Sequence, residues 1–289
     1  MKLLVFGAAG MLGHEVVGAA RARGWQLLTP DEQELDITDR AALTAWFRPR
    51  AFDALLNLAA FTDVEGAEDR RETAFNVNAG ALAAIADSLP RRDIWIGHIS
   101  TDFVFDGTAT VPYSVHAPVN PLSAYGASKA AGETVLRESF PRHFLVRTSW
   151  LYGLHGKSFP RTIANLLATR PELTVVDDQR GRPTAAADLA EFLVRSIAAE
   201  ASGTAHYAND GDCTWFGFAE EVRRLLGREA VPLRPVPSAE FPQKARRPAY
   251  SVLRLDEHPL VAANPPRDWR PALAPFIEAL VREKPELRG

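Results

Sequence analysis

The sequence predicts an α/β fold, a doubly wound parallel sheet followed by a smaller C-terminal region. Three observations predict it. Short apolar runs recur through the first half, each followed by a segment of helical periodicity, the pattern of parallel strands with helices on both faces. A glycine-rich turn follows the first run. After Trp150 the alternation loosens, and prolines gather between Pro232 and Pro271.

Taken in order, strands are expected at residues 3–6, 26–28, 54–58, 94–99 and 144–147, with helices at 12–23, 41–47, 67–88 and 124–138. Leu3 to Phe6 is an unbroken apolar run, the mark of a buried strand entering a turn. Read alone, the apolar start suggests a secretory signal, but His14 and Glu15 interrupt it and no small-residue cleavage site follows. Asp39 is placed to cap the helix that begins beside it. Past Trp150, strands are expected at 173–176 and 204–207 and helices at 159–168, 186–199 and 216–226. The stretch from Pro232 to Pro271 is expected to be mostly loop, since a continuous helix or a central strand does not accept prolines. The expected division is a dinucleotide-binding part, 1–150 with about 185–207 returning to it, and a substrate-binding part, about 151–184 and 208–289.

Composition narrows the function. The chain has 289 residues and a formal charge of −3, with no basic surplus for nucleic acid or a membrane surface. No apolar run reaches the roughly 20 residues of a membrane-spanning helix. Cys213 is the only cysteine, which leaves no internal disulfide, multi-cysteine zinc site or CxxC pair and fits a reducing cytoplasm. The seven histidines show no spacing that suggests a transition metal, and His14 and His98 read as structural.

The turn Gly7-Ala8-Ala9-Gly10-Met11-Leu12-Gly13 lies between the first strand and the first helix. There a dinucleotide pyrophosphate would meet free backbone N–H groups and the positive end of the helix dipole, which makes Gly7, Gly10, Met11, Leu12 and Gly13 cofactor candidates and the sheet Rossmann-type. The spacing is GxxGxxG rather than GxGxxG, so strand–turn–helix context carries the reading. Asp31, 18 positions beyond Gly13, is a candidate for the cofactor ribose. Asp36, with Ile37 after it, is a candidate for the adenine edge. Either acid also reads as a solvated loop residue, so NADH and NADPH both stay open.

Tyr125 and Lys129 are four residues apart, one turn along one helix face, and can act on the same atom. A free tyrosine exchanges its proton poorly at neutral pH, and a nearby cation lowers its pKa. Ser100-Thr101-Asp102 ends the fourth strand at its carboxyl end, where open α/β sheets bind ligands. Thr101 is therefore a candidate to hold a substrate oxygen, although a threonine there also serves as a cap. Together the three form a proton-transfer site.

These residues resemble the extended short-chain dehydrogenase/reductase family, and within it the dTDP-4-dehydrorhamnose reductases. The likeness covers nearly the whole chain. It includes Asn57 to Glu68, similar to NAAAYTxVDxAE; Ser100 to Gly107, similar to STDYVFDG with Phe103 in place of tyrosine; Arg147 to Gly153, similar to RTSWVYG; Asp178 to Thr184, similar to DQxGxPT; and Arg247 to Ser251, similar to RPxxS with Tyr250 where asparagine is frequent.

The resemblance implies hydride delivery from NADPH or NADH to C4 of a dTDP-4-keto-6-deoxy sugar, giving dTDP-L-rhamnose. It implies Tyr125 as general acid, Lys129 orienting the nicotinamide ribose and lowering the tyrosine pKa, and Thr101 steadying the substrate oxygen. It further implies cofactor contacts at Ala59, Ala60, Thr62, Asn78 and Ser100, and substrate contacts at Asp102, Phe103, Val104, Trp150, Gln179, Pro183, Thr184 and Arg247. Trp150 reads equally as a core residue, and Arg246 and Arg247 as ordinary surface charge. Mg²⁺ near Glu15 is a further implication, although a lone helix carboxylate is more often solvated and no metal ligand is assigned. A cytoplasmic monomer or homodimer is expected.

Two other readings share the fold. A nucleotide-sugar dehydratase places Asp-Glu directly after the threonine, whereas Phe103 follows Asp102 here; an epimerase needs tightly retained NAD and room for the sugar to turn. A catalytically idle nucleotide-binding regulatory subunit would have no need of Thr101, Tyr125 and Lys129.

Overall fold

The computed structural model describes residues 1–91 and 93–289. In the first half β1 (Lys2–Phe6) leads into α1 (Met11–Ala22), and β2 (Gln26–Leu28) into α2 (Arg40–Phe47). β3 (Ala54–Asn57) leads into α3 (Val64–Asp69), α4 (Arg71–Phe75), a π turn at Asn76–Gly80 and α5 (Ala81–Ser88). β4 (Trp95–Thr101), α6 (Ala124–Ser139) and β5 (His143–Thr148) complete this half. The second half runs β6 (Leu151–Tyr152), α7 (Phe159–Thr169), β7 (Leu173–Val176), β8 (Arg180–Gly181), β9 (Thr184–Ala185), α8 (Ala186–Ala198), β10 (Gly203–His206), β11 (Cys213–Thr214), α9 (Trp215–Leu226), β12 (Leu233–Val236), α10 (Pro259–Ala262) and α11 (Trp269–Glu283).

The central sheet has the order β2-β1-β3-β4-β5-β10, every neighbouring pair parallel. Side chains alternate across each strand. Leu3 and Val5 join Val16 of α1 and Leu189 and Leu193 of α8 in one core, while Leu4 and Phe6 join Leu43 and Phe47 of α2 and Ile85 of α5 in another. Burial on both faces explains the unbroken apolar run of β1. A third core joins α7, α9 and α11 through Ile163, Leu167, Phe218, Val222, Leu273 and Ile277. The order turns back at β1, which has β2 on one side and β3 on the other, and ligands of such sheets bind at the carboxyl ends beside that point.

Asp39 caps α2 as expected, its carboxylate accepting from the backbone N–H groups of Ala41 and Ala42. One expectation is corrected. The helix expected at 67–88 begins at Val64, capped by Asp63, bends at Arg70 and widens into the π turn. Residues 232–271 are mostly loop, as expected, interrupted by β12, α10 and the start of α11. β12 pairs along one edge with β7, where Pro235 is tolerated. α11 starts at Trp269 and carries Pro271 in its first turn, where the missing N–H would lack a partner anyway. Pro275 lies farther in, yet Ala272, Leu273, Phe276, Ile277 and Leu280 form a buried stripe that holds the helix despite it.

Candidate active site

The glycine turn lies where β1 and β3 diverge. Gly7 has φ +75°, and a Cβ there would stand 2.6 Å from the backbone nitrogen of Ala59. A Cβ on Gly13 would stand 2.2 Å from the carbonyl oxygen of Gly7, so glycine alone lets α1 start this close to the turn. Gly10 caps α1 without a side-chain acceptor, and its first turn carries no acid. The N–H groups of that turn are therefore available to an anion, a cradle that fits a dinucleotide pyrophosphate. Ala59 and Ala60 sit half-buried beside the turn and Thr62 is exposed, so these candidates share one rim.

The other cofactor candidates divide. Asp31 and Asp36 are exposed and spend one oxygen each locally, on the N–H groups of Gln33 and Glu34 and on the N–H and hydroxyl of Thr38. Ile37 packs against the core beside α2. Asn78 acts as a clamp. Its amide donates to the Phe61 carbonyl and the Ser128 hydroxyl and accepts from the Phe61 N–H, pinning the loop after β3 to α6. The π turn at Asn76–Gly80 holds Asn78 in that register. Ser100 is buried and donates to Glu133 at 2.6 Å.

α6 presents Tyr125 and Lys129 one turn apart. Its start is fixed by Ser123, which accepts from the Gly126 N–H, and by Glu68, which accepts from the Ala124 N–H at 2.8 Å. Thr101, closing β4, donates to Asp102 and accepts from the Phe103 N–H. The Phe103 ring stands edge-on to Tyr125 at 5.7 Å. Asp102 is buried, and its second carboxylate oxygen has no partner among the described residues. Burial pushes that carboxyl up to about 6, with hydrogen bonds from Ser251 and Thr101 acting the other way.

Part of the Tyr125 ring reaches solvent, but dense protein around it pushes the phenol up to about 12; a hydrogen bond with Thr101 opposes this and the charge of Asp102 adds to it. The phenol therefore holds its proton at neutral pH, the form a general acid needs. Burial brings Lys129 down to about 8, against the pull of Glu133 one turn on.

On the far side Trp150 has φ +46°, a costly conformation for a bulky residue. It lies flat on Trp215, ring centres 3.5 Å apart, and Trp215 donates its indole N–H to buried Gln179. Both tryptophans are half-exposed, so the pair offers an aromatic platform. Three substrate candidates have buried side chains. Val104 is fully buried in a core with Phe105, Tyr113 and Leu253. Thr184 is also fully buried, its hydroxyl donated to the Ser149 carbonyl at 2.6 Å. Pro183 is buried beside it. Arg247 is paired with Glu65 at 2.8 Å, while its Nε is buried without a partner among the described residues. Glu65 also accepts from the N–H groups of Lys244 and Ala245, tying this segment to α3.

Comparison with known proteins places the whole arrangement. The model of the RmlD substrate binding domain family matches residues 1–282. The chain belongs to that family. It is 39% identical to a dTDP-4-keto-6-deoxy-D-glucose reductase of Streptomyces niveus, over 94% of this chain and 95% of the relative. Two solved dTDP-4-dehydrorhamnose reductases superpose on it. That of Clostridium acetobutylicum has a TM-score of 0.92 at 37% identity, covering 97% of this chain and 99% of the other. That of Bacillus anthracis, solved in complex with NADP, has a TM-score of 0.90 at 32% identity, covering 96% and 99%. The RmlD substrate binding domain match runs from the glycine turn through Thr101, Tyr125 and Lys129 to Arg247 and beyond.

Within this RmlD-type site, sequence reasoning missed three groups. Glu133 and Arg147 form a buried ion pair at 2.7 Å beneath Ser100. His98, read as structural, lies 3.2 Å from the lysine nitrogen. Glu65 holds Arg247. Among the described residues no helix is long and apolar enough to cross a membrane, and no three His, Cys, Asp or Glu side chains converge on one point.

Proposed function

We propose that this protein reduces the C4 ketone of dTDP-4-dehydrorhamnose to dTDP-L-rhamnose, using NADPH or NADH. The observation that carries the reading is the juxtaposition of Thr101, Tyr125 and Lys129 at the carboxyl end of β4, in a fold whose glycine turn leaves helix N–H groups free. Bound nicotinamide supplies the hydride. Met11, Leu12 and Gly13 offer backbone N–H groups to its phosphates, and the 59–62 rim flanks them. As C4 accepts the hydride its oxygen becomes an alkoxide, and Tyr125 donates the phenolic proton to it. Thr101 holds that oxygen in line. Trp150 and Trp215 offer a face to the nucleotide sugar, and Arg247, oriented by Glu65, turns its unpartnered Nε toward a phosphate.

We read residues 1–150 with 185–207 as the nucleotide-binding part, supported by the pairing of β10 with β5, and the rest as the substrate part. The reading places the enzyme in the cytoplasm as a monomer or homodimer. A second substrate is favoured by one comparison, since the Streptomyces niveus relative is named for the D-sugar. Incubation with dTDP-4-keto-6-deoxyglucose and each reduced nicotinamide, with and without a 3,5-epimerase, tests both. Nicotinamide oxidation that requires the epimerase supports the rhamnose reading; equal oxidation without it supports the D-sugar. No oxidation under either condition refutes the reductase.

A further inference from the structure

Residues 244–251 form no helix, and their one sheet-like contact is an isolated bridge from Tyr250 to Arg180 of β8. Their backbone groups must therefore find partners on other elements. At one end Glu65 of α3 supplies them. Its Oε2 accepts from the N–H groups of Lys244 at 2.7 Å and Ala245 at 3.0 Å, and its Oε1 accepts from the Arg247 guanidinium at 2.8 Å. In the middle Pro248 is seated on Gly107, where a Cβ would stand 2.6 Å from the Pro248 Cα. At the other end β8 takes over: the Arg180 N–H donates to the Ala249 carbonyl and the Ser251 N–H to the Arg180 carbonyl, both at 2.8 Å. There the Ser251 side chain faces the Asp102 carboxyl beside Tyr125.

The segment is thus a strap anchored at both ends. One end carries Arg247, whose Nε is buried without a partner among the described residues, and the other reaches the reacting groups. Burial works to raise the Glu65 carboxyl, but hydrogen bonds from Arg247 and from the two backbone N–H groups bring it below its ordinary value, so it stays charged at neutral pH. A single carboxylate therefore fixes both the backbone of the strap and the direction of the guanidinium. The neighbouring cations do not duplicate Arg247, since Lys244 is held by Asp69 and Arg246 is exposed.

We propose that Glu65 is a positioning residue for nucleotide-sugar binding: it pins the 244–251 strap between α3 and β8, so that Arg247 meets the substrate diphosphate already in place. A strap that had to be ordered at the moment of binding would take that cost out of the affinity, whereas a pinned one does not. The proposal rests on the reading of the substrate as a nucleotide sugar.

The test measures binding of dTDP and of the reduced nicotinamide to the intact protein by calorimetry, beside tryptic cleavage after Lys244 and Arg246. Glu65→Ala removes both anchors. It should weaken dTDP roughly tenfold, leave the nicotinamide within about twofold, and speed the cleavage. Glu65→Gln keeps the shape but has one oxygen for two sides. In either orientation its –NH₂ faces donors, on the strap or on the guanidinium, so dTDP should again weaken roughly tenfold. A role in fold stability alone would not separate the two ligands. A folded Glu65→Ala or Glu65→Gln protein that binds dTDP as wild type does overturns the proposal, and so does an equal loss of dTDP and nicotinamide affinity. Wild type that binds no dTDP refutes the nucleotide-sugar reading along with the proposal, whereas wild type and Glu65→Ala that bind it alike refute the proposal alone.

Discussion

Arg147→Met tests how the floor of the site is built. The guanidinium gives Glu133 two hydrogen bonds, Nε to Oε1 at 2.8 Å and Nη2 to Oε2 at 2.7 Å, and donates a third to the Val115 carbonyl at 3.1 Å. Both side chains are 2% exposed or less. Methionine keeps much of the volume but leaves Glu133 buried with only Ser100 and Arg137 for company. Breaking a buried pair from one side costs about 3–5 kcal/mol, and at about 2–4 °C per kcal/mol the midpoint should fall roughly 6–20 °C. Removing both charges in Arg147→Met/Glu133→Leu should restore more than half of the loss, because the carboxylate is then no longer stranded, the remainder reflecting the counter-charge that Lys129 loses. Acid supplies a second readout. Burial alone would raise Glu133, but Arg147 hydrogen bonds and charge bring its folded pKa below the ordinary 4.5. A depressed carboxylate contributes stability above its unfolded pKa and loses it as pH falls through the folded one, so the gap between wild type and Arg147→Met should narrow below about pH 4.5. Thermal unfolding followed by circular dichroism across pH 3–8 measures it. A single variant within about 1 kcal/mol of wild type at pH 7, or a double variant no better than the single, would refute this account.

Tyr125→Phe should lower turnover roughly 10²- to 10⁴-fold while cofactor affinity, read by fluorescence titration, stays within about twofold. Gly13→Ala drives a methyl to 2.2 Å from the Gly7 carbonyl, so the turn must open; it should lose nicotinamide binding and about 1–3 kcal/mol of stability. Asp102→Asn should stabilise the protein at alkaline pH. The folded carboxyl titrates at about 6 against an ordinary 3.8, so ionisation penalises the fold by up to about 3 kcal/mol above pH 6, and chemical denaturation should show the gain vanish by about pH 4.

What the sequence disclosed was whatever has a local cause. β2 and β7 fall on the expected residues and the other anticipated strands lie within one or two; for β1, β3 and β5 an apolar run buried on two faces has few places to begin or end. α11 went unanticipated because Pro271 and Pro275 read as breakers, while its apolar stripe is held by α7 and α9, contacts that no window along the chain reports. The break at Asn76–Gly80 has the same origin: Asn78 is drawn toward Phe61 and Ser128, 17 and 50 residues away. Motif matching cannot tell a side chain that faces a ligand from one that braces its neighbour, and the side chains of Val104, Thr184, Asn78 and Ser100 have partners within the protein.

Hydrogen bonds inform that distinction. Asn78 has both kinds of amide atom engaged, Ser100 is committed to Glu133, Thr184 to Ser149, and Glu133 to Arg147, Arg137 and Ser100. Those side chains have partners within the protein. An unmet buried atom does not by itself mark a site, since among the described residues Tyr152, Ser158, Arg161, Arg182, His206, Asp212 and Trp269 carry one as well as Asp102 and Arg247. Asp102 stands apart because it is hydrogen-bonded to Thr101 and its charge acts on the Tyr125 phenol. Burial makes its unmet oxygen expensive, so a ligand or a proton that completes it there is favoured.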